Sequence, residues 1–128
     1  MAYLLDTNVA IRLRDGDVTI TSKVAGLDDA ILMSIVTRVE LEGGVHREPV
    51  DAPLRRARLD ALLSAIPTLA FDGDAASKFG TIVANAGYSR RKLLDRMIAA
   101  QALVHRATLV TMNPDDFTDV VGLELRVW

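Results

Sequence analysis

Apolar and polar residues alternate along the chain in a pattern that predicts short strands separated by helices. Short apolar runs bounded by Asp, Asn, Gly or Pro are typical of buried strands, whereas apolar positions three and four residues apart are typical of helices with one buried face. By the first criterion we predict strands at residues 2–5, 30–33, 68–71, 108–111 and 123–127. By the second we predict helices at residues 9–13, 19–27, 36–45, 51–66, 76–86 and 93–105.

This order of elements is typical of an α/β fold in which helices cover both faces of a mainly parallel sheet. The chain shows no internal repeat, linker or low-complexity segment. We therefore predict that residues 1–128 form a single domain, which is an ordinary domain size. In such folds, ligands bind beyond the C-terminal ends of the strands.

Four acidic residues fall near those strand ends or at the start of a helix. Asp6 follows the first strand directly, Glu40 lies a short turn past the second, and Asp116 comes a few residues after the fourth. Asp95 is an acidic residue near the start of an otherwise apolar and small-residue helical segment, where a buried charge is unfavourable unless a positive group meets it. Together the four acids predict a single acidic pocket.

Each acid also has a purely structural interpretation. Asp6 would cap the helix that follows it, and Thr37 and Glu40 have the Thr-x-x-Glu spacing of a capping box. Asp95 would favour the positive end of a helix dipole, and Asp116 would stabilise a turn. Converging carboxylates, however, repel one another and take up protons unless a cation neutralises them. Taken singly the residues leave both interpretations open, and taken together they favour a cation site.

Composition and charge narrow the chemistry. Without cysteine, the chain has no disulfide, thiol nucleophile or cysteine-ligated metal. No apolar run approaches the ~18 residues of a membrane span, and the N-terminus lacks the features of a signal peptide, so we expect no membrane association and a cytoplasmic location. The net charge of −2 disfavours nucleic-acid binding, but setting the four acids aside leaves 15 basic against 13 acidic residues.

Oxygen ligands suit Mg²⁺ or Mn²⁺, which bind through one or two carboxylates, waters and substrate phosphate oxygens. These cations lower the pKa of an attacking water and stabilise the leaving oxygen of a phosphodiester. No protein nucleophile is needed for that reaction. The acidic pocket therefore predicts metal-dependent phosphodiester hydrolysis.

The segments that carry these acids resemble the PIN-domain ribonucleases, and more narrowly the VapC-type toxins of bacterial type II toxin–antitoxin systems. The similarity rests on four segments in the family's order and spacing, namely YLLDTNV, SIVTRVELEGGV, LLDRMIAAQAL and TLVTMNPDDF. It implies a three-layer α/β/α sandwich with a central sheet of four to five strands. It also implies endoribonuclease activity with Mg²⁺, which Mn²⁺ can replace, a homodimer, and a cognate VapB-type antitoxin that obstructs the acidic pocket.

The resemblance assigns roles to individual residues. Asp6, Glu40, Asp95 and Asp116 match the family's catalytic acids, and among them Asp6, Asp95 and Asp116 are the implied metal ligands. Asn113 is given a supporting role through a metal-bound water, whereas the neighbouring Asp115 is expected to be solvated. Thr7 and Thr111 flank the pocket, where their hydroxyl groups would hydrogen-bond carboxylates or water, or cap the strand ends locally.

Basic residues supply candidate RNA contacts. Arg90, Arg91 and Lys92 precede the Asp95 helix, where cations are electrostatically disfavoured, and an RNA backbone would compensate for this. A solvated basic loop is the equally open alternative. Arg12 and Arg14 follow Asp6 and would contact phosphate or antitoxin. We expect a solvated helix face at Arg55, Arg56 and Arg58, and structural or surface roles for His46 and His105. Tyr88, beside the basic loop, is the candidate stacking platform for an RNA base.

Two other functions compete with the nuclease. A phosphatase of the haloacid-dehalogenase type would use Asp6 as its nucleophile, but it needs a second acid two positions on, where this chain has Asn8. A catalytically silent PIN-fold binding module would act only through its partner. The presence of all four expected acids argues against that second alternative.

Overall fold

A fully parallel five-stranded sheet forms the centre of the protein. The computed structural model describes residues 1–128, and its strands are β1 (Tyr3–Leu5), β2 (Ile31–Ser34), β3 (Thr68–Leu69), β4 (Thr108–Thr111) and β5 (Leu125–Val127). Their order across the sheet is β3-β2-β1-β4-β5, and every neighbouring pair is parallel. The predicted α/β class is confirmed, although β3 is only two residues long and β5 begins two residues later than predicted.

Six helices connect these strands, as predicted, with shifted ends. They are α1 (Thr7–Arg14), α2 (Val18–Ala25), α3 (Ile35–Val45), α4 (Ala52–Ala65), α5 (Gly73–Ala86) and α6 (Leu93–Val104). Short 3₁₀ turns at Pro49–Asp51 and Pro114–Phe117 complete the secondary structure. None of the helices combines the length and the apolar character that crossing a membrane requires.

The predicted capping box at Thr37 and Glu40 is wrong. Helix α3 is capped by Ser34, whose Oγ accepts a hydrogen bond from the Val36 backbone N–H at 3.0 Å. Thr37 is therefore already inside the helix, and its side chain is fully buried. The three-residue spacing has a different consequence, because it places Thr37 and Glu40 on the same face of α3.

The core is divided between the two faces of the sheet. Along β1, Tyr3 and Leu5 pack into one apolar cluster with residues of α1, α2 and α4, whereas Leu4 packs into the other with α5 and α6. This alternation follows from the two-residue period of a strand. Burying each leucine contributes roughly 1.5–3 kcal/mol. The two clusters confirm the predicted three-layer α/β/α sandwich.

The topology creates a crevice at the C-terminal ends of the central strands. From β1 the chain adds β2 on one side of the sheet and later β4 on the other, so the strand order reverses at β1. Such reversal points are where open α/β sheets bind ligands. Leu5 of β1 is in register with Val110 of β4, so Asp6 and Thr111, the residues that follow them, lie side by side.

Candidate active site

Asp6 is held in place by hydrogen bonds to both of its carboxylate oxygens. Its Oδ1 accepts the Thr7 backbone N–H and its Oδ2 accepts the Thr111 hydroxyl, each at 2.8 Å. The residue is only 4% exposed. Burial raises the pKa of Asp6 above its ordinary value, and the two hydrogen bonds oppose that rise. Asp6 thus caps α1, as its structural interpretation predicted, while its carboxylate also lines the crevice.

A hydroxyl relay connects the interior of α3 to Glu40. The Thr7 hydroxyl donates to Glu40 Oε1 at 2.8 Å and lies 2.9 Å from the hydroxyl of Thr37. Because Thr7 has a single hydroxyl proton and gives it to Glu40, Thr37 must donate to Thr7. Glu40 is itself exposed, so the relay orients a carboxylate that faces solvent.

Asp95 lies in the first turn of α6 and is half-buried. Its pKa is raised from 3.8 to about 6, mainly because burial disfavours its charge. The negative charges of Asp6, Asp116 and Glu40 raise it further, whereas Lys92 acts in the opposite direction. The four predicted acids therefore share one electrostatic environment.

The same four acids line one open cavity of about 810 Å³, which we call the acidic cleft. Its lining residues belong to α1, α3, α4, α6, the 3₁₀ turn after β4, and the segments that follow β1, α1 and α3. The lining residues are Asp6, Thr7, Asn8, Ile11, Arg14, Asp15, Val39, Glu40, Leu41, Gly43, Gly44, Arg47, Arg55, Asp95 and Asp116. A second and more apolar cavity of about 720 Å³ lies between α2 and α4; it shares Arg14 with the acidic cleft but contains none of the four acids.

Two of the predicted supporting residues, Thr111 and Asn113, lie close to the cleft but do not line it, whereas the third, Thr7, does. Thr111 contacts it only through Asp6, because its hydroxyl is fully buried beneath that carboxylate. The Asn113 backbone N–H donates to the Thr111 hydroxyl at 3.0 Å, and the Asn113 side chain is exposed. Asp115 is also exposed and lies outside the cleft, so Asp116 is the acid of this turn that faces it.

The residues predicted to contact RNA lie elsewhere. Arg90 and Arg91 are exposed outside the cleft, and Lys92 donates to Asp119 at 3.1 Å. Arg12 lies 3.5 Å from Asp17 and is also outside the cleft. Lys92 lies near enough to Asp95 to lower its pKa, but none of the four lines the cleft.

Three other arginines do line the cleft, and of these only Arg14 was predicted to contact phosphate or antitoxin. They are Arg14 at the end of α1, Arg47 just after α3, and Arg55 in the first turn of α4. The interpretation of Arg55 as part of a solvated helix face is wrong, because its Nη1 donates to the Gly44 backbone oxygen at 2.9 Å. No signal in the sequence joins these positions, which meet only through the packing of α1, α3 and α4.

The donor atoms around the acidic cleft are carboxylate and hydroxyl oxygens, which suit a hard divalent cation. The structure contains no group of three or more Asp, Glu or His side chains that could hold a metal ion by themselves. Mg²⁺ does not require such a group, since it retains several waters and binds through one or two carboxylates and substrate phosphates. The chemistry of the donor set therefore fits Mg²⁺ or Mn²⁺ with water and substrate as further ligands.

Known proteins are similar to this chain over nearly its whole length. Residues 3–123 match the PIN domain family model. The chain is 26% identical to Ribonuclease VapC2 of Rickettsia felis and 28% identical to the tRNA(fMet)-specific endonuclease VapC of Shigella flexneri, and each alignment covers 100% of this chain and 98% of the relative.

Among solved structures, VapBC-5 of Mycobacterium tuberculosis, described as a member of the VapBC family of toxin-antitoxin systems, superposes with a TM-score of 0.71. That alignment has 28% identity and covers 98% of this chain and 96% of the other. The family match over residues 3–123 is consistent with the two structural findings, the parallel sheet and the four acids around one cleft. The chain belongs to the PIN-domain family.

Proposed function

We propose that this protein is an endoribonuclease toxin of a toxin–antitoxin pair that hydrolyses RNA phosphodiester bonds with the help of Mg²⁺ or Mn²⁺. The observation that carries the proposal is the grouping of Asp6, Glu40, Asp95 and Asp116 around one cleft, with the pKa of Asp95 raised by burial and further by the other three acids. Four carboxylates from four separate segments repel one another unless a cation joins them. The names of the VapC relatives, a ribonuclease and a tRNA-specific endonuclease, support RNA as the substrate.

Asp6, Asp95 and Asp116 would hold the metal, with Asn113 acting through a water. When bound, Mg²⁺ or Mn²⁺ supplies Lewis acidity at the scissile phosphate and lowers the pKa of a water. Asp6 suits this role because its two hydrogen bonds fix its carboxylate plane while leaving each oxygen a further lone pair. Thr7 and Thr111 then serve as the groups that orient the ligand.

Glu40 has a different role in this mechanism. Its Oε1 is occupied by the Thr7 hydroxyl, whereas its Oε2 makes no hydrogen bond within the protein, and the exposed residue lines the cleft. Glu40 Oε2 accepts the proton of the attacking water as its oxygen bonds to phosphorus, and the departing ribose oxygen is protonated from solvent. The relay from Thr37 through Thr7 keeps Glu40 oriented for this step.

Two protein partners complete the proposal. A VapB-type antitoxin is supported by the description of the similar Mycobacterium structure as a toxin–antitoxin system. The homodimer follows from the family resemblance alone, whereas the cytoplasmic location is the expectation stated from the sequence. A short reading frame for a DNA-binding antitoxin beside this gene would support the pairing, and the mass of the purified protein in solution tests the homodimer.

The direct test is RNA cleavage by the purified protein with Mg²⁺ or Mn²⁺. We expect cleavage that EDTA abolishes and that Asp95→Asn nearly abolishes, because the amide removes a ligand charge while keeping the side-chain shape. Equal cleavage by wild type and variant would indicate a contaminating nuclease. A folded wild-type protein that cleaves no RNA under these conditions would support the catalytically silent binding module.

A further inference from the structure

The acidic cleft has a basic side formed by Arg14, Arg47 and Arg55, and these three residues define what we call the arginine cluster. They come from the end of α1, the segment after α3 and the start of α4. The only acidic residue of the cleft lining in contact with any of them is Asp15, which lies 2.9 Å from the Arg14 Nε. The cluster therefore carries excess positive charge beside the four acids.

Arg14 is held firmly for a charged residue. Only 6% of its side chain is exposed, and its Nε donates to Asp15 Oδ1. Its two Nη groups make no hydrogen bond within the protein, yet neither is closed off from solvent. One of them lies 3.6 Å from the position that a Cβ on Gly44 would occupy, so the bare backbone of α3 adjoins the guanidinium. The Nη groups of Arg14 thus remain available to a ligand in the cleft.

Arg55 and Arg47 extend this available surface. Arg55 donates one of its N–H groups to the Gly44 backbone oxygen, which fixes the guanidinium against α3 and leaves its other donors free. Arg47 is exposed and has no carboxylate within ion-pair distance. A guanidinium offers donors in a planar fork that matches the oxygens of a phosphate. Three such groups, two of them fixed against the protein, favour a phosphate ligand.

We propose that the arginine cluster is a binding subsite for an RNA phosphate that flanks the scissile one. This inference rests on the proposed nuclease function, and it gives the substrate a direction across the cleft. The scissile phosphate would lie at the acids, and the neighbouring backbone would lie along Arg14, Arg47 and Arg55. An RNA substrate explains both sides of the cleft. The arginines would bind its phosphates, and the carboxylates would serve its hydrolysis. An acidic protein segment would account only for the arginines.

Arg47→Gln is the informative variant, since Arg47 is exposed and supports no other element. Arg90→Gln is its matched control, because Arg90 is an equally exposed arginine outside the cleft. Affinity for a short mixed-sequence single-stranded RNA is measured with Mg²⁺ in the Asp95→Asn background, so that the probe is not consumed. We expect Arg47→Gln to weaken binding about tenfold, as loss of a charged hydrogen bond does. The slope of log affinity against log salt should fall by about 0.7.

A conservative variant separates charge from packing. Arg47→Lys keeps the positive charge and should restore most of the affinity and the salt slope, while Arg90→Gln should change neither. Equal losses in Arg47→Gln and Arg90→Gln would overturn the subsite, because they would reflect general attraction to a basic surface. Unchanged RNA binding in Arg47→Gln would also overturn it and would assign the cluster to an acidic protein segment.

Cleavage kinetics distinguish failure of this inference from failure of the proposed function. In the otherwise wild-type protein, Arg47→Gln should raise KM about tenfold with little change in kcat. If the wild type cleaves RNA and Arg47→Gln has an unchanged KM, the subsite is wrong and the nuclease stands. If the wild type cleaves no RNA with Mg²⁺ or Mn²⁺, the nuclease assignment itself fails.

Discussion

Arg96 donates from Nη2 to Asp119 Oδ2 at 2.8 Å, which ties the start of α6 to the loop after β4. Arg96 directly follows Asp95, and Asp119 lies three residues after Asp116. The arginine is 2% exposed and also donates to the Gly87 backbone oxygen, while Lys92 is a second donor to Asp119. These cations lower the pKa of Asp119. One ion pair thus joins the segments that carry two of the four acids.

Breaking this pair should destabilise the protein strongly. Asp119→Asn leaves the Arg96 guanidinium buried without a counterion, and we expect a loss of about 2–4 kcal/mol in the free energy of unfolding. Urea denaturation monitored by circular dichroism measures it. Asp60→Asn is the control, since it breaks the exposed pair of Asp60 with Arg56 and should cost far less stability. Similar losses in both variants would show that the Arg96–Asp119 pair is no more important than a surface contact.

The elevated pKa of Asp95 predicts how stability changes with pH in metal-free buffer. Its folded pKa of about 6 exceeds the ordinary 3.8, so protonation favours the folded state. That contribution is complete below about pH 4 and is lost as the pH rises through about 6. Asp95→Asn cannot ionise, so the variant should match wild type at low pH and exceed it by about 1 kcal/mol at pH 7.5, after allowance for solvent screening.

Urea denaturation in EDTA across this pH range checks the prediction. A variant that is less stable than wild type at pH 7.5 would contradict it. Such a result would mean that the favourable interaction of Asp95 with the N-terminal end of the α6 dipole exceeds its repulsion by the other acids.

Asp116 and Asp115 provide a matched pair on one 3₁₀ turn. Both are exposed, but only Asp116 lines the acidic cleft and affects the pKa of Asp95. Asp116→Asn should lower kcat for RNA cleavage on the order of 100-fold, as expected when a metal ligand is lost, whereas Asp115→Asn should stay within about threefold of wild type. Single-turnover cleavage with Mg²⁺ measures both. A larger effect at Asp115 would reassign the fourth acid.

The residues whose positions follow from strand ends were the predictable part of the site. Asp6 and Asp116 come just after apolar strands, and a parallel sheet brings the ends of β1 and β4 together whatever the loops do. Asp95 was detectable because a lone acid in an apolar and small-residue segment is unusual. The order of the strands and helices could also be predicted, because each hydrophobic spacing reflects an element with one buried face.

What could not be predicted depends on contacts between residues distant in the sequence. Arg14 and Arg55 are 41 positions apart and meet only because α1 and α4 both pack near α3. The pairing of Arg96 with Asp119 likewise spans two loops. At α3, the capping-box spacing predicted Thr37 as the N-cap, whereas Ser34, the last residue of β2, takes that position. Sequence spacing alone contains no information on that choice.

Thr37 gives the sharpest test of the hydroxyl relay, because it lies behind the cleft and touches no substrate. Thr37→Val preserves the branched shape and removes the hydrogen bond that Thr37 donates to Thr7. The Thr7 hydroxyl then loses the hydrogen bond that it accepts, so its side chain is held less firmly and its hydrogen bond to Glu40 is weakened. We expect kcat for RNA cleavage to fall about tenfold, in line with the loss of a group that positions an active-site residue, with RNA affinity unchanged.

Thr37→Ser separates this role from packing. Serine restores the hydroxyl but removes a methyl group, so it should be about 1 kcal/mol less stable than wild type and yet recover most of the kcat lost in Thr37→Val. Rapid-quench cleavage and urea denaturation of both variants give the two quantities. If Thr37→Ser instead loses as much kcat as Thr37→Val, the hydroxyl group does not matter for catalysis and Thr37 contributes only packing. If serine is active and valine is not, the hydroxyl relay from Thr37 through Thr7 orients Glu40 for proton transfer.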